Sequence, residues 1–219
     1  MAKPTDFLEL RASMVEHQLR RRGISHEGVL RAMAEVPREE FLPEEIRSSA
    51  YNDSALPIGH EQTISQPWVV AAICQAMRLR GGENVLEIGT GSGYSAAVLA
   101  KLADRVISME RVRELGDAAR HKLAELGIPN VEVIVGDGSR GHPPGAPYDA
   151  IAVHAATPEA PHSLLAQLAD DGRLVVPIAT GTADLLTAFV RENGDMRQET
   201  IGPCRFVPLL GAEGFDVPD

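Results

Sequence analysis

With 219 residues, 44% of them hydrophobic, the chain can bury one substantial core and falls in the size range of a single α/β domain. Its formal net charge of −10, with no Lys/Arg run longer than Arg20-Arg21-Arg22, excludes a general polyanion-binding surface, so no nucleic-acid partner is expected. No stretch approaches 18 uninterrupted apolar residues and the N-terminus has no apolar leader core, so a soluble, cytoplasmic protein without membrane contact is expected.

Apolar side chains at helical spacing (Phe7, Leu8, Leu10, Met14, Val15, Leu19) predict a helix over 6–22, and a second over 26–36 stops at Pro37. Residues 37–65 are rich in Pro, Gly and polar groups with little periodicity, which predicts a long functional loop. From residue 68 helix-like and β-like runs alternate: helix 69–77, strand 84–89, helix 95–103, strand 105–110, helix 112–126 and strand 131–137. Strand 148–155, helix 161–169 and strand 172–179 follow. Apolar, β-branched strands between amphipathic helices predict a parallel sheet covered on both faces. Residues 183–193 and 196–210, joined by a Gly194-Asp195 turn, read as a terminal antiparallel pair, giving a mixed seven-stranded sheet. Cys74 and Cys204 lie far apart and make no disulfide framework; the seven histidines are scattered, and no metal site is expected.

The strongest chemical signal is "VLEIGTGSGYSAAVLA", residues 85–100. A strand runs into Gly89-Thr90-Gly91-Ser92-Gly93 and then a helix, at the carboxyl end of the first strand, where open α/β sheets bind ligands. Tyr94 occupies the last position of G-x-G-x-x-G, so the dinucleotide fingerprint is not met. Glu87 fits a positively charged ligand group better than a pyrophosphate. Glu110 ends the second strand, where an acid can accept both hydroxyls of an unphosphorylated ribose, and Asp137 ends the third, where it can receive an adenine amine. Ribose, adenine and a cationic tail together compose S-adenosylmethionine. Taken singly, the glycines also suit a tight turn, and the acids suit helix caps. Thr90 and Tyr94 flank Ser92 where a nucleophile elbow needs Gly, so Ser92 reads as a loop donor to the cofactor rather than a nucleophile.

Upstream, "QTISQPW" (62–68) sets Thr63 and Ser65 before an apolar helix. Ser65 can cap that helix, and a helix N-terminus, with free N–H groups and partial positive charge, can also hold an anion. Both roles stay open at this point.

These segments together resemble the protein-L-isoaspartate (D-aspartate) O-methyltransferases of bacterial type. The resemblance runs through "MVEHQLRRRGI", "VLRAMAEVPREEFLP", "AYNDSALPIGHEQTISQP", the glycine loop, "NVEVIVGDGSRG", "PYDAIAVHAATPEAP", "GRLVVPI" and "GPCRFVPLLG". It implies a class I S-adenosylmethionine-dependent, Rossmann-like methyltransferase fold whose last strands are ordered differently from most relatives. It also implies methyl transfer from S-adenosylmethionine to the α-carboxylate of L-isoaspartyl and D-aspartyl residues in damaged proteins. By the same resemblance Ser65 is the active-site residue, with Thr63 and Ile64 beside the isoaspartyl group. Glu87, Gly89, Gly91 and Gly93 line the methionine part of the cofactor, Glu110 takes the ribose, and Asp137 with Gly138 the adenine. Residues 205–210, Arg205 and Val207 among them, close over the acceptor peptide. Glu61, Trp68 and His154 depart from the family pattern; Trp68 and His154 remain candidate acceptor contacts. The implied division is 1–67 for N-terminal helices and substrate loop, 68–180 for the cofactor-binding core and 181–219 for strands closing the acceptor site. A monomer is expected.

A carboxylate acceptor is already ionised at neutral pH, its unperturbed pKa being about 4, so no general base is required. Ser65 then reads as an orienting donor, since no His or Asp lies close in sequence to activate it. Alternatives are a relative acting on normal Asp residues of a dedicated peptide, one acting on a small-molecule acid, and a non-catalytic cofactor sensor.

Overall fold

The computed structural model describes residues 6–216; the first five residues of the N-terminal reading and the last three of the C-terminal one lie outside that span. Helix α1 (Phe7–Ser13) begins at Asp6, whose carboxylate accepts the N–H groups of Leu8 and Glu9. It runs on through a π-helical turn, Met14–Leu19, and a 3-10 turn, Arg20–Arg22, ending at Gly23 in the left-handed region (φ 92°). The expected single helix is therefore one rod with three windings. Helix α2 (Glu27–Glu35) is capped by His26, whose Nδ1 accepts the Val29 N–H.

The long loop expected over 37–65 is more ordered than its composition suggests. Two 3-10 segments, Arg38–Phe41 and Glu44–Ser49, lead into a small hairpin of β1 (Leu56–Gly59) and β2 (Gln62–Ile64). Its turn is His60-Glu61, both left-handed (φ 51° and 58°), the geometry that matches strand twist. Strands this short without Asn-Gly at the turn leave little signal in sequence. Glu61 is exposed on that turn.

Helix α3 (Pro67–Met77) then begins the α/β core: β3 (Asn84–Ile88), α4 (Tyr94–Ala100), β4 (Arg105–Glu110), α5 (Arg113–Glu125), β5 (Val131–Val135), β6 (Tyr148–Val153), α6 (His162–Ala166), β7 (Leu168–Ala179), β8 (Asp184–Glu192) and β9 (Asp195–Cys204). The sheet order is β5-β4-β3-β6-β7-β8-β9, parallel from β5 to β7, with β8 and β9 antiparallel. The mixed seven-stranded sheet is as expected, and its last three strands follow in sequence order. The β8–β9 turn is Asn193-Gly194 (φ 53° and 87°) rather than Gly194-Asp195; Asp195 already pairs with Glu192. The ladder also stops at Cys204, so 205–210 is not strand but a crossing segment.

The pleat sorts residues to two cores. Val85, Val106, Ala150 and Ala152 face α3 and α4, while Leu86, Ile88, Ile107, Met109, Ile151 and Val153 face the other side. Helix α3 is buried on nearly all sides because the N-terminal helices pack over its outer surface. A buried triad holds that extension: Arg11 Nη2 donates to Glu39 Oε1 at 2.8 Å and its Nε to Tyr51 Oη at 2.7 Å, while Tyr51 donates to Glu39. Arg38, fully buried, donates from Nε to Ala50 O and stacks 4.9 Å from the Tyr94 ring centre, and burial lowers its pKa. Glu39→Ala would leave the Arg11 charge uncompensated, and urea unfolding is expected to show a loss of about 3–5 kcal/mol. A loss under about 1 kcal/mol, the value of a surface pair, would show that the triad does not anchor the extension.

Candidate active site

Strand order reverses between β3 and β6, so the chain leaves these two neighbours in opposite directions and opens a crevice at their carboxyl ends. A cavity of about 570 Å³ lies there. One wall is the turn after β3: Gly89, Gly91 and Gly93 have φ of 94°, 54° and 89°, values that an L side chain rarely adopts. Of this loop Gly89, Thr90, Gly91 and Ser92 line the cavity. Gly93 does not: a Cβ there would meet Ala119 of α5 at 3.2 Å, so this glycine serves helix packing.

Glu87 also departs from its expected place on the wall. It points to the α3/α4 side, is 0% exposed, and receives hydroxyls from Ser95 of α4 and Ser108 of β4. Thr90 shares a hydroxyl hydrogen bond with Ser108. The loop thus rests on a buried carboxylate and three hydroxyls. His154, just beyond β6 and on the same face of the pleat, brings Nε2 to 3.3 Å from Glu87 Oε1.

Glu110 is on the wall, where it accepts the N–H of Gly91 (Oε2, 2.8 Å) and of Val112 (Oε1, 2.9 Å). A carboxylate offers about four acceptor positions, so two remain for a ligand diol. Gly138 lines the cavity, whereas Asp137 does not. Asp137 accepts the N–H of Ser139 (2.8 Å) and of Ala212 (3.1 Å). Burial raises its pKa, but these N–H groups, the Ser139 hydroxyl and the Arg111 charge outweigh that and hold the carboxyl below its ordinary value. The carboxylate expected to accept an adenine amine thus also tethers the C-terminal turn.

The opposite wall is the junction of β2 and α3, with Thr63, Ile64, Ser65 and Trp68 lining the cavity. Ser65 does not cap α3: the N-cap is Gln66, without a side-chain capping bond, and the Gln66 amide donates instead to Asp53. Trp68 Nε1 donates to Arg22 O, and the Arg22 guanidinium lies 4.8 Å from the Trp68 ring centre while pairing with Asp53 at 2.7 Å. Residues 205–210 form the roof. Phe206 N–H is held by Asp184, Val207 O accepts from Ala156 N–H, and Leu209 N–H donates to Ala156 O. Arg205 and Val207 line the cavity from this side.

Arg22, Arg111, Met109 and Tyr94 are wall residues that sequence reasoning missed, whereas Phe206 falls within the expected 205–210 cover. Arg111 and Met109 flank Glu110 and could have been found from it; Arg22 reaches the cavity only by tertiary packing. Burial pushes the Cys204 thiol up to about 11, and Cys74 higher still, so neither offers a thiolate. Among the described residues no cluster of three or more His, Cys, Asp or Glu is placed to hold a metal ion, and no helix is long and apolar enough to cross a membrane.

The fold and this crevice define an α/β methyltransferase of the Rossmann-like class. A solved protein-L-isoaspartate O-methyltransferase, 32% identical, superposes with a TM-score of 0.82 over 93% of this chain and 66% of that longer one. A structure from Plasmodium falciparum, described as a beta-aspartate methyltransferase in complex with S-adenosyl-L-homocysteine, is 27% identical with a TM-score of 0.80 over 91% of this chain and 98% of that one. Residues 10–214 match the model of the protein-L-isoaspartate(D-aspartate) O-methyltransferase family, and the chain belongs to that family. It is 55% identical to protein-L-isoaspartate O-methyltransferase 1 of Rhodopseudomonas palustris, over 96% of this chain and 87% of the relative, and 48% identical to the protein-L-isoaspartate O-methyltransferase of Methanoculleus marisnigri, over 94% and 93%.

Because the folded carboxyl of Asp137 titrates below its unfolded value, its stabilising effect is present above the ordinary carboxylate range and is lost as pH falls through the lowered value. Asp137→Asn is expected to lower the thermal midpoint at pH 7, with the difference from the unaltered protein narrowing below about pH 4. A gap of equal size at pH 7 and pH 3 would show that the carboxylate charge does not secure the C-terminal turn.

Proposed function

We infer that this protein transfers a methyl group from S-adenosylmethionine to the α-carboxylate of L-isoaspartyl and D-aspartyl residues in damaged proteins, the first step of their repair. The observation that carries the reading is the convergence of the 63–65 segment, the glycine loop and the 205–210 roof on one cavity. The residues fit the cofactor: about 570 Å³ is within the range of about 300–1,000 Å³ for small-molecule pockets. Apolar Ile88, Met109 and Val112 beside Glu110 suit an adenosine, and the Cβ-free loop lets the backbone approach the amino-acid tail.

S-adenosylmethionine, when bound, supplies an electrophilic methyl on a sulfonium, and transfer to a carboxylate oxygen leaves an ester and a neutral thioether. The chain's task is positioning. Ser65, on the wall opposite the glycine loop, donates a hydrogen bond to the acceptor carboxylate and orients one oxygen toward the methyl, about 3 Å away. Thr63 and Ile64 flank the isoaspartyl backbone; Trp68, His154, Arg205 and Val207 complete the acceptor side. Gly89, Thr90, Gly91 and Ser92 bind the methionine part, Glu110 the ribose, and Gly138 the adenine. Glu87, Gly93 and Asp137 act behind this wall as supports. We read residues 1–219 as one methyltransferase domain, working as a cytoplasmic monomer.

Methyl transfer from labelled S-adenosylmethionine is expected to an isoaspartyl peptide and not to its normal aspartyl isomer. Transfer to the aspartyl isomer instead would favour a dedicated-peptide enzyme, and transfer to neither would overturn the assignment. Losing one hydrogen bond to a charged group costs about 1.5–3 kcal/mol, so Ser65→Ala is expected to lower turnover by about ten- to a hundredfold with the cofactor Kd unchanged. Equal loss of cofactor binding would remove Ser65 from the acceptor side. Arg205→Ala is expected to raise the peptide KM about threefold, as fits an exposed charge contact, while an unchanged KM would take Arg205 out of the site.

A further inference from the structure

Glu87 and His154 form a pair that the positioning role of Ser65 does not explain. Glu87 is a carboxylate closed to water, and its hydroxyl partners Ser95 and Ser108 solvate it without supplying charge. A buried carboxylate is costly unless a cation compensates it. Among the described residues the positively chargeable group within 4 Å of it is the imidazole of His154, at 3.3 Å. That side chain is only 6% exposed, Nε2 is buried without a hydrogen bond of good geometry, and the residue lines the cavity. A ring with Nε2 turned to Glu87 leaves Nδ1 as the nitrogen able to reach a ligand.

The position is as telling as the charge. His154 follows β6 and abuts Gly89, where a Cβ would lie 3.4 Å from the His154 Cβ, so it stands at the switch point between the two central strands. Phe206 of the roof lies 6.4 Å from its ring. The other charged or titratable groups around this space are Glu110 and Arg111 at the end of β4, Tyr94 of α4, Cys204 at the end of β9 and Arg205 after it, Arg22 of the N-terminal extension, and Cys74 of α3, on the Glu87 side.

We propose that His154, paired with Glu87, donates a hydrogen bond from Nδ1 to the acceptor carboxylate, as a second orienting group opposite Ser65. Glu87 is the positioning residue that keeps the ring aimed. This rests on the carboxylate-methylating activity inferred above and adds to it a second acceptor contact.

The test is kcat and KM for an isoaspartyl peptide, for the unaltered protein and for His154→Gln, His154→Ala and Glu87→Gln, with cofactor Kd and thermal midpoint measured for each. His154→Ala is expected to raise the peptide KM about tenfold, one hydrogen bond to a charged group being worth about that much, with cofactor Kd unchanged. His154→Gln keeps a neutral donor, so its peptide KM should be intermediate, and Glu87→Gln should raise the KM by releasing the ring. A raised KM in His154→Ala that His154→Gln partly restores, with cofactor Kd unchanged, supports the assignment. An unchanged KM in both His154 variants overturns it while leaving the activity standing, and no transfer to the peptide by the unaltered protein overturns the activity and this inference together.

Discussion

A single carboxylate that never meets solvent organises the ligand side of this protein. Glu87 ends inside the sheet rather than at its rim, and its partners come from β4, α4 and the residue after β6. Each is an element whose end frames the crevice. Fixing them to one point sets the height of the glycine turn relative to the neighbouring strand ends, and Thr90 extends the same network into the turn through Ser108. The open backbone of the turn, with three left-handed glycines, is costly in conformational entropy, and hydrogen bonds from beneath hold it in one shape.

The second constraint comes from the N-terminal extension, which would otherwise be a peripheral layer. Its helices cover the outside of α3, so a helix bordering the site has no solvent-facing side to shift toward. Arg38 reaches from the extension to Tyr94, the first residue of α4 and itself a wall of the cavity. Arg22 does the same on the acceptor side, where Trp68 and Asp53 hold its guanidinium. Both ends of the cavity are thereby braced by residues that precede the sheet in sequence.

Much of this was legible in the sequence, for physical reasons that differ from element to element. The parallel strands are buried on both faces and so read as continuous apolar runs, and the glycine turn announces itself because few other residues tolerate its φ values. The acids at the three strand ends were equally visible, yet sequence order could not say which way each side chain points. Glu110 does face the cavity, but the pleat turns Glu87 inward, and Asp137 is taken by the N–H of Ala212, a contact across 75 positions. Ser65 shows the same limit in reverse: its type and place suggested a cap, and one residue of offset gave the N-cap to Gln66. The β1–β2 hairpin escaped notice since its strands of four and three residues carry no useful periodicity.

The roof at residues 205–210 is laid down last and is tied to Asp184 and Ala156. In chain order the cofactor-side loop and the 63–65 wall come long before it, so the two facing walls are encoded ahead of the segment that spans them. The enclosed reaction chamber is a product of contacts between segments distant in sequence, whose loop closure must be met before they are rewarded. Enclosure of the cavity is thus coupled to completion of the whole sheet, since the roof follows directly on its last strand.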